Sequence, residues 1–186
     1  RGLVAQNVAL AVKVPNAPRR GNKVIIPSKA ELRAILAAAG SSENLMAQAM
    51  VELLIYTGLR ASEVRGLAWR SVDLRNGKVR VESRADARGA HGAPKSVAGV
   101  RVVPIPSGLV ITLREWKLAC PHHADDLVFP SPKGRVLSHD VMGKKYLKPI
   151  MIAAGVTKPG KDEDKAATKY TAHVFRHAAA SLWIEQ

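Results

Sequence analysis

The chain has a single cysteine, Cys120, among 186 residues. That rules out an intramolecular disulfide and a cysteine-based zinc site, and leaves a buried, idle thiol as the expectation. No apolar run reaches the length of a membrane span, and no signal-peptide pattern opens the sequence, so a cytoplasmic protein is expected. There is no internal repeat and no glycine-rich phosphate loop of the nucleotide-binding kinds. Acidic residues are scarce, 15 Asp and Glu against 29 Lys and Arg, giving a net charge of +14 and a pI near 10.3. No carboxylate cluster stands out that could hold a divalent cation. His122 and His123 are adjacent, so they share no helix face and read as a loop rather than a metal pair.

What is present is a soluble composition, 47% hydrophobic and 24% charged, in a length that fits one domain with a core plus an appendage. A basic surplus of this size fits a polyanionic partner, with nucleic acid first, although a ribosomal or heparin-binding protein would share it. The start at Arg1 and the end at Gln186 inside a helical pattern suggest a piece of a longer protein. Residues 1–24 mix a short apolar run with Pro15, Pro18, Arg19, Arg20, Gly21 and Lys23. They read as a linker crossing a surface, whose basic side chains are candidates for phosphate contacts.

Ser28 and Glu31 form a capping-box pattern that opens a helix through Leu32, Ile35, Leu36 and Ala39 and ends at Gly40. A second helix, from about Glu43 to Thr57, is apolar nearly all round and should be central and buried. Gly58 ends it, Arg60 sits at its exit, and Ser62 and Glu63 begin a further short helix. An arginine at that exit beside a glutamate able to orient it is how a rigid anion clamp is built. Read without that context, it is a surface ion pair of little energetic weight.

Asn76-Gly77 signals a turn before an alternating strand, Lys78 to Glu82. Residues 84–99 read as a loop or long hairpin holding Lys95, and Val100 to Pro106 as a strand closed by prolines. A helix follows from Ser107 or Gly108 to about Cys120, then the apolar segment Leu127 to Pro130. Ser138 caps a long lysine-rich helix from His139 to about Ala154, stopped by Gly155. Residues 157–170 lack periodicity and read as a surface loop. The last helix holds His173, Arg176 and His177 at i, i+3 and i+4, on one face, with Thr171 as N-cap. Two imidazoles and a guanidinium aimed the same way are costly to bury without a partner, and the partner that suits them is an anion.

Three separated segments carry a resemblance. Thr57-Gly58-Leu59-Arg60-Ala61-Ser62-Glu63-Val64 resembles the first box of the tyrosine recombinases, the phage integrase family. Pro94-Lys95-Ser96 through Arg101-Val102-Val103-Pro104 resembles the family's β-hairpin lysine segment. His173-Val174-Phe175-Arg176-His177 resembles the start of the second box, with Phe175 where leucine is usual. The resemblance covers roughly residues 25–186 and implies a mixed α+β catalytic-domain fold, predominantly helical with a small antiparallel sheet. Residues 1–24 would then be the end of a preceding DNA-binding domain and its basic linker.

The resemblance further implies that Arg60 and Arg176 grip the non-bridging oxygens of a scissile phosphodiester. Lys95 would protonate the departing 5′ oxygen, and His173 would bond the phosphate and assist proton transfer. Glu63 and His177 would support these groups, and Arg19, Arg20 and Lys23 would touch DNA. The implied activity is site-specific recombination through a 3′-phosphotyrosine, with no cofactor and no metal. The implied partners are double-stranded DNA half-sites and further copies of the chain, in a tetramer.

Tyr56, Tyr146 and Tyr170 match neither the position nor the context of the family's nucleophile, so the chain as written is expected to bind DNA without cutting it alone. An alternative of another class is a non-catalytic DNA-binding accessory or regulator with the same fold. A type IB topoisomerase would share the chemistry.

Overall fold

The computed structural model describes residues 25–93, 99–158 and 167–184. Its first helix, α1 (Lys29–Gly40), starts with the reciprocal box expected of Ser28 and Glu31. The Glu31 amide donates to Ser28 Oγ at 3.2 Å, and the Ser28 amide donates to Glu31 Oε2 at 2.8 Å. Glu31 does more than cap. It also accepts from Lys169 Nζ at 2.6 Å and from the Tyr170 hydroxyl at 3.0 Å. The lysine bond first, and then the helix-start amide, hold its carboxyl down at about 2.

Helix α2 (Leu45–Thr57) is buried along almost its whole length, as an apolar circumference requires. It runs through the middle of the domain, packed by α1, by α4 (Ser107–Ala119) and by α7 (Ala172–Ile184). Its buried Met50, Leu53 and Leu54 lie in one core cluster with Leu109 and Leu113 of α4 and Phe175 of α7. Gly58 caps it in the left-handed region, φ 60°, with its amide donating to Leu54 O at 3.1 Å. The short α3 (Ala61–Arg65) follows at once.

The sheet is small. Strands β1 (Val72–Asp73), β2 (Lys78–Val81) and β5 (Arg101–Pro104) are antiparallel in the order β1-β2-β5, with Val79 opposite Val103 and Val81 opposite Arg101. Alternation puts Val79, Val81 and Val103 inward and Lys78, Arg80 and Val102 outward. Between β2 and β5, β3 (Arg84–Ala85) and β4 (His91–Gly92) form a separate two-stranded ladder, the hairpin expected of this region. Arg65, almost fully buried, ties that excursion down through Nε to Leu137 O at 2.6 Å and NH2 to Asp86 O at 3.0 Å. Cys120 is buried at the end of α4, and burial raises its thiol pKa.

Two details depart from the sequence expectations. The helix capped by Ser138 is continuous to Ala153 but changes character. A first turn α5 (His139–Val141) passes into a π-helical segment, Met142–Leu147, before α6 (Lys148–Ala153). Pro149 supplies the cause, because it donates no hydrogen bond and its ring crowds the carbonyl four residues back, which a wider turn relieves. The segment expected to be a plain surface loop begins and ends in paired strands, β6 (Thr157–Lys158) with β7 (Ala167–Thr168). Tyr170, just after it, is buried in the core. Among the described residues, no helix is long and apolar enough to cross a membrane.

Candidate active site

The exit of α2 and the start of α7 meet at Gly58. A left-handed residue turns the chain there, and its carbonyl accepts from Arg176 NH1 at 2.8 Å. The space is tight, since a Cβ at position 58 would lie 2.9 Å from Ala179 Cβ. Gly58→Ala therefore combines left-handed strain with a clash against α7. It is expected to cost about 2 kcal/mol or more and to lower Tm by roughly 4–8 °C in a thermal melt.

Two residues further on, Arg60 is the residue before α3, in extended conformation, and Glu63 is three residues into the turn. Glu63 Oε2 accepts from the Arg60 amide at 2.9 Å and Oε1 from Arg60 NH1 at 2.9 Å. The side chain of Glu63 is only 2% exposed, against 48% for Arg60. This is not a solvated ion pair. A buried carboxylate holds both the backbone and the guanidinium of an arginine whose outer part remains open.

A second arginine completes the arrangement. Arg101, at the start of β5, forks onto the same carboxylate, NH2 to Oε2 at 2.8 Å and NH1 to Oε1 at 3.2 Å, and NH1 also reaches Gly99 O at 3.1 Å. Burial alone would raise the Glu63 pKa. The hydrogen bonds from Arg101, then from the amide and guanidinium of Arg60, outweigh burial and hold it below the ordinary carboxylate value. Glu63 is ionised whenever the fold is intact near neutral pH.

The α7 face is built as its spacing requires. Phe175 and Ala178 are buried behind it, while Arg176 and His177 are half-buried and His173 is exposed. The His173 and His177 rings meet edge to face, with centroids 4.9 Å apart. Burial, followed by the charges of His177, Arg176 and Arg60, lowers the His173 pKa, so its imidazole is neutral near pH 7. A neutral imidazole can donate at one nitrogen and accept at the other. Burial likewise lowers Arg176, followed by the charges of Arg60 and Arg101, with Glu63 opposing. Two guanidinium groups, of Arg60 and Arg101, bind the one Glu63 carboxylate, and Arg176 feels the charge of all three groups. Arg101 and Arg176 line an open concavity of about 290 Å³ together with Gly58 and Ala179. The donor set is cationic and suits an anion with several oxygens.

The structure brings together five of the residues singled out from sequence: Arg60, Glu63, His173, Arg176 and His177. Lys95, Arg19, Arg20 and Lys23 lie outside the described residues. Arg101 was missed as a site residue, although a signal existed. It shares strand parity with the buried Val103, so an inward-facing arginine had to find a buried acid. Of the three tyrosines, Tyr146 and Tyr170 are core residues, with the Tyr170 hydroxyl bound to Glu31. Tyr56, on α2, is raised in pKa by burial and by Glu52.

A helical domain with a three-stranded antiparallel sheet, with Arg101 and Arg176 lining an anion-sized opening and Arg60 and His173 near them, is a tyrosine-recombinase catalytic fold. The match to the sequence profile of the phage integrase family covers residues 28–186, and the chain belongs to that family. It is 28% identical over 185 residues to the tyrosine recombinase XerC of Xanthomonas axonopodis pv. citri (strain 306), covering all of this chain and 53% of that protein. The chain thus spans about half the length of this relative. In fold it is similar to the crystal structure of XerA recombinase, with a TM-score of 0.65 and 22% identity over 86% of this chain and 50% of that one. It is also similar to the Tn1549 transposon integrase in complex with transposon right end DNA, with a TM-score of 0.69 and 16% identity over 97% of this chain and 58% of that one.

Proposed function

We propose that residues 25–186 are the phosphate-gripping part of a site-specific DNA recombinase, and that residues 1–24 continue from a DNA-binding domain that precedes them. The observation that carries this reading is the preorganised pair of arginines. Arg60 is fixed by a buried carboxylate and Arg176 by the Gly58 carbonyl, with His173 neutral beside them.

In the proposed reaction, a tyrosine hydroxyl attacks the scissile phosphorus, the bond from phosphorus to the 5′ oxygen breaks, and a 3′-phosphotyrosine forms. Negative charge grows on the equatorial oxygens, where rigid guanidinium groups stabilise the transition state more than the ground state. Neutral His173 takes up the phenolic proton, and Lys95 gives a proton to the departing 5′ oxygen. Religation is the same sequence in reverse, with the 5′ hydroxyl of a partner strand as nucleophile. Each phosphotyrosine conserves the energy of the diester it replaces, so neither ATP nor a metal enters the balance.

Tyr146 and Tyr170 are buried in the core, and Tyr56, exposed on α2, matches neither the position nor the context of the family's nucleophile. The tyrosine is therefore proposed to come from sequence outside residues 1–186, in the same protein or a neighbouring subunit. The substrate is paired half-sites of duplex DNA bound by a tetramer, in the bacterial cytoplasm, with Arg19, Arg20 and Lys23 on phosphates of the flanking backbone.

Fluorescence anisotropy with a 40-bp duplex tests the DNA half of this reading on residues 1–186. Affinity is expected to fall steeply with salt, and Arg176→Ala to reduce the slope of log Kd against log salt by about one. Binding indifferent to salt, or a slope unchanged by the substitution, would contradict it.

A further inference from the structure

We propose that Arg101 is a positioning residue for the phosphate grip: it clamps Glu63, and through Glu63 holds Arg60 in its binding pose. This rests on the recombinase reading above. Each oxygen of Glu63 serves both arginines. Oε1 accepts from Arg60 NH1 at 2.9 Å and Arg101 NH1 at 3.2 Å, and Oε2 accepts from the Arg60 amide at 2.9 Å and Arg101 NH2 at 2.8 Å. The carboxylate cannot turn to release one arginine without breaking bonds to the other.

The two arginines differ in what they have left to offer. Both terminal nitrogens of Arg101 are engaged with Glu63, one of them shared with Gly99 O, and its side chain is 25% exposed. Arg60 meets Glu63 through one terminal nitrogen and its amide, and its side chain is 48% exposed. Arg60 is the more exposed of the two, whereas Arg101 spends its fork on Glu63 at the edge of the concavity.

Charge gives Arg101 a second part. Arg60 and Glu63 alone make a neutral pair, which attracts a phosphodiester weakly. Arg101 balances the carboxylate and leaves the positive charge of Arg60 uncancelled at its exposed end. Planar, bidentate geometry is a property of guanidinium that a lysine ammonium lacks, so Arg101→Lys separates the two contributions. It keeps the charge and loses the fork.

The test measures the single-turnover cleavage rate at saturating DNA and the Kd of a nicked half-site duplex, using the recombinase that carries this chain with its tyrosine. The proteins are wild type, Arg101→Met, Arg101→Lys, Arg60→Ala and the double variant Arg60→Ala/Arg101→Met, each checked by thermal melting. Arg101→Met is expected to lower the rate about 10²-fold, the scale of a 1 Å misplacement. Arg101→Lys is expected to keep Kd within about 3-fold of wild type while still slowing cleavage about 10-fold.

The decisive arm is the double variant. With Arg60 gone, loss of Arg101 is expected to change the residual rate less than about 10-fold, against about 10²-fold in the wild-type background, because the larger share of its effect passes through Arg60. A purely architectural residue would cost as much in either background, and multiplying effects would overturn the inference. So would an Arg101→Met protein that cleaves like wild type. An Arg60→Ala protein that cleaves normally would instead sink the phosphate-grip reading itself. On residues 1–186 alone, the Arg60 backbone amide and NH1 protons, both bonded to Glu63, are expected to exchange more slowly with solvent in the wild type than in Arg101→Met. Unchanged exchange would overturn the inference whatever the fate of the recombinase reading.

Discussion

Under the proposed reaction, Arg176→Ala in the full-length protein that carries this chain is expected to slow strand cleavage about 10³-fold at saturating DNA, while weakening binding less than about 10-fold. The asymmetry follows from geometry. A phosphodiester already carries one negative charge in the ground state, which many basic side chains of a +14 chain can attract. The additional charge that develops on the equatorial oxygens during attack can be met only by donors already in place. Arg176 is such a donor, because one of its terminal nitrogens is spent on the Gly58 carbonyl at 2.8 Å and fixes the rest of the fork. Single-turnover rates and Kd values on one half-site duplex separate the two effects. A fall in affinity equal to the fall in rate would mean that Arg176 is an ordinary phosphate contact, as in a non-catalytic DNA-binding protein.

Glu63→Ala is expected to be the most destabilising substitution at the site, by about 3–5 kcal/mol, with Tm lowered by roughly 10 °C or more. The carboxylate is almost fully buried, and its removal leaves Arg60 and Arg101 facing each other and takes away the charge that opposes them at Arg176. Glu63→Gln should cost less, because an amide oxygen still accepts from one arginine, but it cannot accept on both sides at once.

The pH dependence has a definite sign. The folded pKa of Glu63 lies below its ordinary value of 4.5, so its contribution is complete above that value and is lost as pH falls through the depressed one. Glu63→Gln should therefore flatten the acid side of a plot of Tm against pH and leave the neutral region parallel to wild type but lower. An acid limb as steep as that of the wild type would show that Glu63 does not carry the charge balance of the site.

Much of this was legible in the sequence because it is written in local spacing. Ser28 and Glu31 announce the start of α1. The apolar circumference of α2 announces its burial, Gly58 its end, and the i, i+3, i+4 placement of His173, Arg176 and His177 their common face. What escaped depends on residues far apart in the chain. Lys169 and Tyr170 sit in a stretch without periodicity, yet they close onto Glu31, 138 and 139 positions away. Arg101 read as one more residue of a β-strand until its partner, 38 positions earlier, was placed beneath it. The π-helical turn before Pro149 shows the converse, a local steric conflict that interrupts an otherwise sound helical pattern.

The most direct test of the account is to trap the covalent intermediate. The full-length protein carrying this chain is mixed, in excess EDTA, with a nicked half-site duplex labelled at the 5′ end of the scissile strand, and the products are resolved under denaturing conditions. The expected result is a protein-linked, labelled species that yields phosphotyrosine on digestion and disappears in Arg176→Ala. A labelled strand cut only when a divalent metal is supplied, with a free 3′ end and no attached protein, would contradict it.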